Sequence, residues 1–127
     1  MLGGFIMKKN LVLVDDDKVL LQLIGEELGF HFKVTSFYSS SEAYSYIKNN
    51  KDNIDILLTD YKMPEMNGLE LISKATIIKP QIYRILITGY YELIEGNPGL
   101  ENCNLVIEKQ LMKKISVLAE KINNLVK

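Results

Sequence analysis

Short apolar runs rich in Val, Ile and Leu alternate along the chain with longer stretches in which apolar residues recur every three or four positions. That alternation is the signature of repeated βα units around a parallel sheet, whose strands are apolar throughout because helices cover both faces. Five strands are expected, at residues 10–14, 32–36, 54–59, 84–88 and 105–108. The first helix is expected over residues 18–28, with Leu20, Ile24 and Leu28 on its inner face and Gly29 as a left-handed C-terminal residue. The second begins at Ser40 or Ser41 and reaches Asn49, with Ala43, Tyr46 and Ile47 inward. The third follows Asn67-Gly68, buries Leu69, Ile72 and Ala75, and stops before Pro80. The last is expected over residues 111–126, where Leu111, Ile115, Leu118, Ile122 and Leu125 form a core-facing stripe. Between them the fourth connection is irregular, because Gly96-Asn97-Pro98-Gly99 leaves room for no more than a turn or two of helix over residues 90–95.

With 127 residues and 47% hydrophobic content, the chain suits one domain with one core, and any output is expected to come from that domain. Its 15 basic and 16 acidic residues give a net charge of -1, which supplies no footprint for nucleic acid or an anionic membrane surface. The apolar Met1-Leu2-Gly3-Gly4-Phe5-Ile6-Met7 is short, and Lys8 and Lys9 follow it, the wrong order for a secretory signal. Residues 1–7 therefore read as an N-terminal extension and residues 8–127 as the domain. No segment approaches the roughly 18 apolar residues of a membrane span. The single Cys103 excludes an internal disulfide and fits a reducing cytoplasm.

The candidate chemistry lies where the apolar runs end. The first run ends in Asp15-Asp16-Asp17, the third in Asp60 ahead of a Pro- and Gly-marked turn, the fourth in Thr88 and the fifth at Lys109. In an open parallel sheet, ligands bind outside the carboxyl ends of the strands, so these side chains converge on one edge. Three close carboxylates repel one another and need raised pKa values or a cation. Oxygen-only ligands at an open site favour a hard ion such as Mg²⁺. With the ion and Lys109 present the three negative charges are balanced, and an arriving phosphoryl group meets the charge neutralisation that its transfer requires. One carboxylate can then serve as nucleophile and form an aspartyl phosphate, with the Thr88 hydroxyl donating to a phosphoryl oxygen.

From about Lys8 to Lys127 the sequence resembles the receiver domains of two-component response regulators. The resemblance rests on Leu13-Val14-Asp15-Asp16-Asp17, on Asp60 with Met63-Pro64-Glu65-Met66-Asn67-Gly68 behind it, on Thr88-Gly89, and on Lys109 after an apolar strand. It implies a flavodoxin-like (βα)5 three-layer sandwich with parallel strand order 2-1-3-4-5. It implies that Asp60 accepts a phosphoryl group from a histidine kinase or phosphotransfer protein, and that Asp15, Asp16, Asp60 and the Lys62 backbone carbonyl hold Mg²⁺. Thr88 and Lys109 would contact the phosphoryl oxygens. Such a domain catalyses only its own phosphorylation and dephosphorylation, signals to a downstream protein that the sequence does not name, and is expected to be a monomer or weak dimer.

The chain also departs from that family's pattern. Gln110 stands where most receivers have a Pro behind a cis peptide, so a trans bond is expected after Lys109. Val106 replaces the aromatic ring that usually rotates on activation. With the broken fourth helix, these changes point to an output face specialised for an unusual partner. Lys62 and Tyr90, two residues beyond Asp60 and Thr88, are bulky enough to hinder an attacking water and imply a phosphoryl state lasting minutes rather than seconds. His31, the only His, reads as a surface or structural residue, and Tyr61, Tyr90 and Tyr91 as half-buried packing. Two other readings compete. A haloacid-dehalogenase-like phosphatase would use Asp15 and Asp17, but it needs acidic metal ligands after Lys109, where only Glu120 is available, and it leaves Asp60 unused. A receiver-fold interaction module without phosphorylation would not need the full set of Asp15, Asp16, Asp60, Thr88 and Lys109.

Overall fold

The computed structural model describes residues 7–109 and 114–127. Five parallel strands, β1 (Asn10–Val14), β2 (Lys33–Phe37), β3 (Ile56–Asp60), β4 (Tyr83–Thr88) and β5 (Leu105–Glu108), form one sheet of order β2-β1-β3-β4-β5. The helices are α1 (Lys18–Leu28), α2 (Ser40–Asn50), α3 (Gly68–Ile78), α4 (Tyr91–Ile94) and α5 (Ile115–Val126). This is the flavodoxin-like sandwich with the strand order that the family resemblance implied. The order reverses between β1 and β3, which sets the switch point beside Asp15 and Asp60.

Alternation along each strand divides the core into two layers. Leu11, Leu13, Ile56, Leu58, Ile85 and Ile87 face one side, where α1 contributes Leu21, Ile24 and Leu28 and α5 contributes Leu118, Ile122 and Val126. Val12, Val14, Leu57 and Leu86 face the other, where α2 contributes Ala43 and Ile47 and α3 contributes Leu69, Ile72 and Ala75. Each such apolar side chain contributes about 1.5–3 kcal/mol when fully buried. The stripes are close to those expected, with Leu21 rather than Leu20 in the α1 core and Leu20 only partly buried.

Strand edges differ from the sequence reading for local hydrogen-bonding reasons. β2 starts at Lys33 because Phe32 closes the turn after α1, its N–H donating to the Leu28 carbonyl at 2.8 Å. Ile54 ends a 3₁₀ turn, Lys51–Asn53, so β3 waits until Ile56. Gly29 caps α1 in the right-handed region, φ -62° and ψ -19°, and its N–H donates to Gly25, so the left-handed C-terminal geometry is absent. α3 carries a full capping box, with Asn67 and Glu70 each accepting from the other's backbone N–H.

The fourth connection is irregular and its helix short, as expected. One turn of α4 is followed by Gly96 at φ 85° and a 3₁₀ turn over Pro98–Asn102. α5 begins at Ile115 because Lys114 is extended, φ -141° and ψ 146°. The readings placed on residues 1–6, on Gln110 and its peptide bond, and on Leu111 lie outside the described residues. Among the described residues, no helix is long and apolar enough to cross a membrane.

Gly68 is fixed by the close approach of α3 to β3, since a Cβ there would stand 2.1 Å from the Asp60 carbonyl oxygen. Gly68→Ala is expected to lower stability by about 2 kcal/mol or more in urea unfolding, because backbone rather than a flexible side chain must yield. A change within about 0.5 kcal/mol would contradict that packing.

Candidate functional site

The end of β1 delivers Asp15, which is buried, while Asp16 and Asp17 are exposed. The Asp15 backbone N–H donates to the Phe37 carbonyl at 3.1 Å, and its Oδ1 accepts from the Asp17 N–H at 2.9 Å, so its orientation is fixed. Among the described residues its Oδ2 has no hydrogen-bond partner, and it lies 3.6 Å from Lys109 Nζ. Asp17 is used differently, since its Oδ1 accepts from the Val19 and Leu20 N–H groups at 3.1 Å each and caps α1.

Asp60 is the last residue of β3 and is 7% exposed. Its Oδ1 accepts from the Tyr61 N–H at 2.9 Å and lies 3.3 Å from Lys109 Nζ. Lys109, just past β5, thus places one ammonium against both buried carboxylates. Asp15, Asp16 and Asp60 each bring a carboxylate oxygen to within 4.8 Å of the others, a spacing that one cation could bridge. Among the described residues, no donor reaches the Lys62 carbonyl, which keeps it available as a further oxygen ligand.

These side chains line an open cleft of about 360 Å³ formed by Asp15, Asp16, Asp17, Asp60, Lys62, Tyr90 and Lys109. Thr88 is not part of its lining. It ends β4, is fully buried, and its Oγ1 accepts from the Tyr90 N–H at 2.9 Å. At the mouth, Lys62 Nζ stands 5.1 Å from the centre of the Tyr90 ring, a cation–π distance. A larger groove of about 510 Å³ between α1 and β2 is mostly apolar and holds none of the buried carboxylates.

Sequence reasoning paired Lys62 and Tyr90 as bulky residues beside the site but missed their contact, which no spacing rule reveals. It also missed Glu65, whose φ of 69° is left-handed. Ser40 donates to the Pro64 carbonyl at 3.2 Å, tying that loop to the start of α2. The one available signal was the tight Pro64-to-Asn67 turn, which needs a left-handed residue that Glu does not advertise.

Burial, reinforced by neighbouring charge, raises the pKa of both Asp15 and Asp60 above the ordinary carboxylate value. The Asp17 N–H and Lys109 oppose the rise at Asp15, and Lys109 and the Tyr61 N–H oppose it at Asp60. A raised folded-state pKa means that the native state binds more protons, so stability falls as pH climbs from the unfolded value, near 3.8, through the folded one.

The response regulator receiver domain family model matches residues 11–121. Among curated relatives, the response regulator receiver protein CpdR of Brucella abortus is 37% identical over 86 residues, covering 66% of this chain and 68% of that protein. The putative two-component response regulator ARR21 of Arabidopsis thaliana is 39% identical over 72 residues, 56% of this chain but 12% of that protein, so the chain spans about an eighth of such regulators. A CheY-like receiver domain protein from Methanospirillum hungatei superposes with a TM-score of 0.82 at 29% identity, covering 92% of both chains. A receiver domain protein from Clostridium thermocellum does so at 0.82 and 26%, covering 93% and 94%.

The buried carboxylates give a pH-dependent expectation. In metal-free buffer at pH 7, Asp60→Asn raises the melting temperature, and the gain shrinks as pH falls through the raised folded-state pKa of Asp60 toward its unfolded value. Thermal melts followed by circular dichroism check this; a loss of stability at pH 7 would contradict it.

Proposed function

The chain belongs to the receiver domains of two-component response regulators, and from that premise we propose that it accepts a phosphoryl group on Asp60 in a Mg²⁺-dependent reaction and signals through protein–protein contacts. The observation that carries this reading is the Lys109 ammonium set between Asp60 and Asp15, 3.3 and 3.6 Å away, with Asp16 beside them. Among the described residues, the hydrogen bond and the ion pair of the Asp60 carboxylate both fall on Oδ1, which leaves Oδ2 as the oxygen offered to phosphorus. In the transfer an Asp60–phosphorus bond forms and the phosphorus–nitrogen bond of a phosphohistidine donor breaks, the freed imidazole taking a proton.

The donor set fits a hard divalent cation: the unpartnered Oδ2 of Asp15, the exposed Asp16, Asp60 and the Lys62 carbonyl are all oxygen. Mg²⁺ bound there would neutralise the carboxylates and the oxygens of the incoming group. Lys109 pairs with Asp60 before transfer and with a phosphoryl oxygen after it. Thr88 would turn its hydroxyl proton to another phosphoryl oxygen while still accepting from Tyr90. Lys62 and Tyr90, in contact across the mouth, hinder water from reaching the acyl phosphate, which implies a lifetime of minutes or more.

The partners are then a histidine kinase or phosphotransfer protein upstream and a protein target downstream, with no nucleic acid or membrane surface engaged directly. The domain works in the cytoplasm as a monomer or weak dimer, and it is not an enzyme acting on other substrates. The phosphatase reading loses its second carboxylate, because Asp17 is committed to capping α1. The phosphate-independent reading leaves the assembled carboxylates and Lys109 without a purpose.

Incubation with Mg²⁺ and acetyl phosphate, followed by intact mass measurement, is expected to add one phosphoryl unit to the wild type and none to Asp60→Asn. Asp15→Asn should gain it much more slowly. Retention of the added mass in Asp60→Asn, or its absence from the wild type, refutes the reading. Once phosphorylated, the wild type should keep the mass for minutes after acetyl phosphate is removed, and Lys62→Ala with Tyr90→Ala should lose it several-fold faster. Release within seconds from the wild type would overturn the shielding role.

A further inference from the structure

β2 lies at one side of the sheet and pairs with β1 alone, so among the described residues its other edge has no neighbouring strand. The parallel ladder decides which backbone groups lie on that edge. The Lys33 N–H donates to the Lys9 carbonyl at 2.9 Å, and the Phe37 carbonyl accepts from the Asp15 N–H at 3.1 Å. Lys33, Thr35 and Phe37 therefore turn their N–H and C=O groups toward β1, and Val34 and Ser36 turn theirs outward. Among the described residues nothing bonds to those outward groups. The strand has no Pro, and its one charge, Lys33, stands at its start, so the edge is open to pairing.

The side chains of Val34 and Ser36, with Tyr38 just past the strand, line the open groove of about 510 Å³ opposite Lys18, Gln22 and Glu26 of α1. α1 runs antiparallel to β2. At its start Lys18 Nζ stands 4.5 Å from the centre of the Tyr38 ring, and at its end the Leu28 carbonyl accepts from the Phe32 N–H at 2.8 Å. Glu26 therefore falls at the Val34 end of the groove and Gln22 between. Lys18, Gln22 and Glu26 are all exposed, and their spacing of four puts them on one side of the helix.

We propose that this edge is the seam of a symmetric dimer, in which β2 of a second copy of the chain pairs antiparallel with it about a two-fold axis at Ser36. The pattern is self-complementary in both elements. On β2, Val34 and Tyr38 stand two residues to either side of Ser36, so the rotation sets Val34 opposite Tyr38 of the second copy on the same face of the joined sheet. Tyr38 is 54% exposed, and each ring closes the other copy's groove. On α1, Lys18 and Glu26 stand four residues to either side of Gln22. The rotation therefore brings the Lys18 of each copy, above its Tyr38, to the Val34 end of the other groove, where Glu26 carries the opposite charge. The outward N–H and carbonyl of Ser36 exchange bonds with their own counterparts across the axis. An unrelated extended peptide could use the backbone edge, but it would not match the reversed order of charges along α1.

Sedimentation equilibrium of the full chain tests the seam. The wild type is expected to show a reversible monomer–dimer equilibrium, its average mass rising with concentration toward twice that of one chain. Ser36→Pro removes an outward N–H that β1 does not use, so it should keep the wild-type circular dichroism spectrum and weaken the dimer by about tenfold or more. Lys18→Glu and Glu26→Lys each set like charges across the seam twice, and each should weaken it several-fold. The chain carrying both substitutions restores opposite charges and should associate as the wild type does. If Ser36→Pro does not fold, this charge exchange decides alone. A wild type that stays monomeric at millimolar concentration assigns the edge to another occupant and overturns the dimer. So does a folded Ser36→Pro that associates as tightly as wild type, a single charge variant that does the same, or a double variant no tighter than the single ones.

Discussion

One ammonium between two buried carboxylates holds this site together. Lys109 arrives on β5, Asp60 on β3 and Asp15 on β1, so the pair of contacts at 3.3 and 3.6 Å spans most of the sheet. Removing two carboxylates from water is costly, and one Lys compensates only in part, as the raised pKa of both acids records. The site is therefore poised: it carries more negative charge than its own cation neutralises, and a divalent ion would complete the balance. Stability is sacrificed where chemistry is placed, at the strand ends, while the layers on both faces of the sheet supply the compensation.

The same arrangement explains the rigidity behind the site. Asp60 cannot shift without its backbone, and its backbone is jammed against Gly68. Lys62 and Tyr90 close the mouth from the loops after β3 and β4, and Asp17 spends its carboxylate on the start of α1. The ends of β1, β3 and β5 thus supply the charged groups, while the residues or loops behind them anchor those groups.

Much of this was legible in the sequence, because the fold reads out through short continuous apolar runs alternating with stretches of period three to four, and because parallel strands gather their carboxyl ends. Asp15, Asp16, Asp60 and Lys109 could be expected to meet on that ground. What escaped was governed by hydrogen bonds and packing between distant residues. Phe32 looks like a strand residue and is spent on a turn, and Gly29 looks like a left-handed cap and is not. Glu65 adopts a left-handed backbone that its residue type does not advertise. The packing of Leu69 in the same core layer as Leu100, some thirty residues away, is one that no local pattern encodes.

The central claim is that Asp60 is a carboxylate held above its ordinary pKa until a divalent cation joins Lys109. Titrating the Asp60 carboxyl carbon by NMR, with Asp60→Asn to assign the signal, tests it most directly. The account predicts a pKa above the usual carboxylate range without metal and a clear fall when Mg²⁺ is added. An ordinary pKa, unmoved by Mg²⁺, would contradict it.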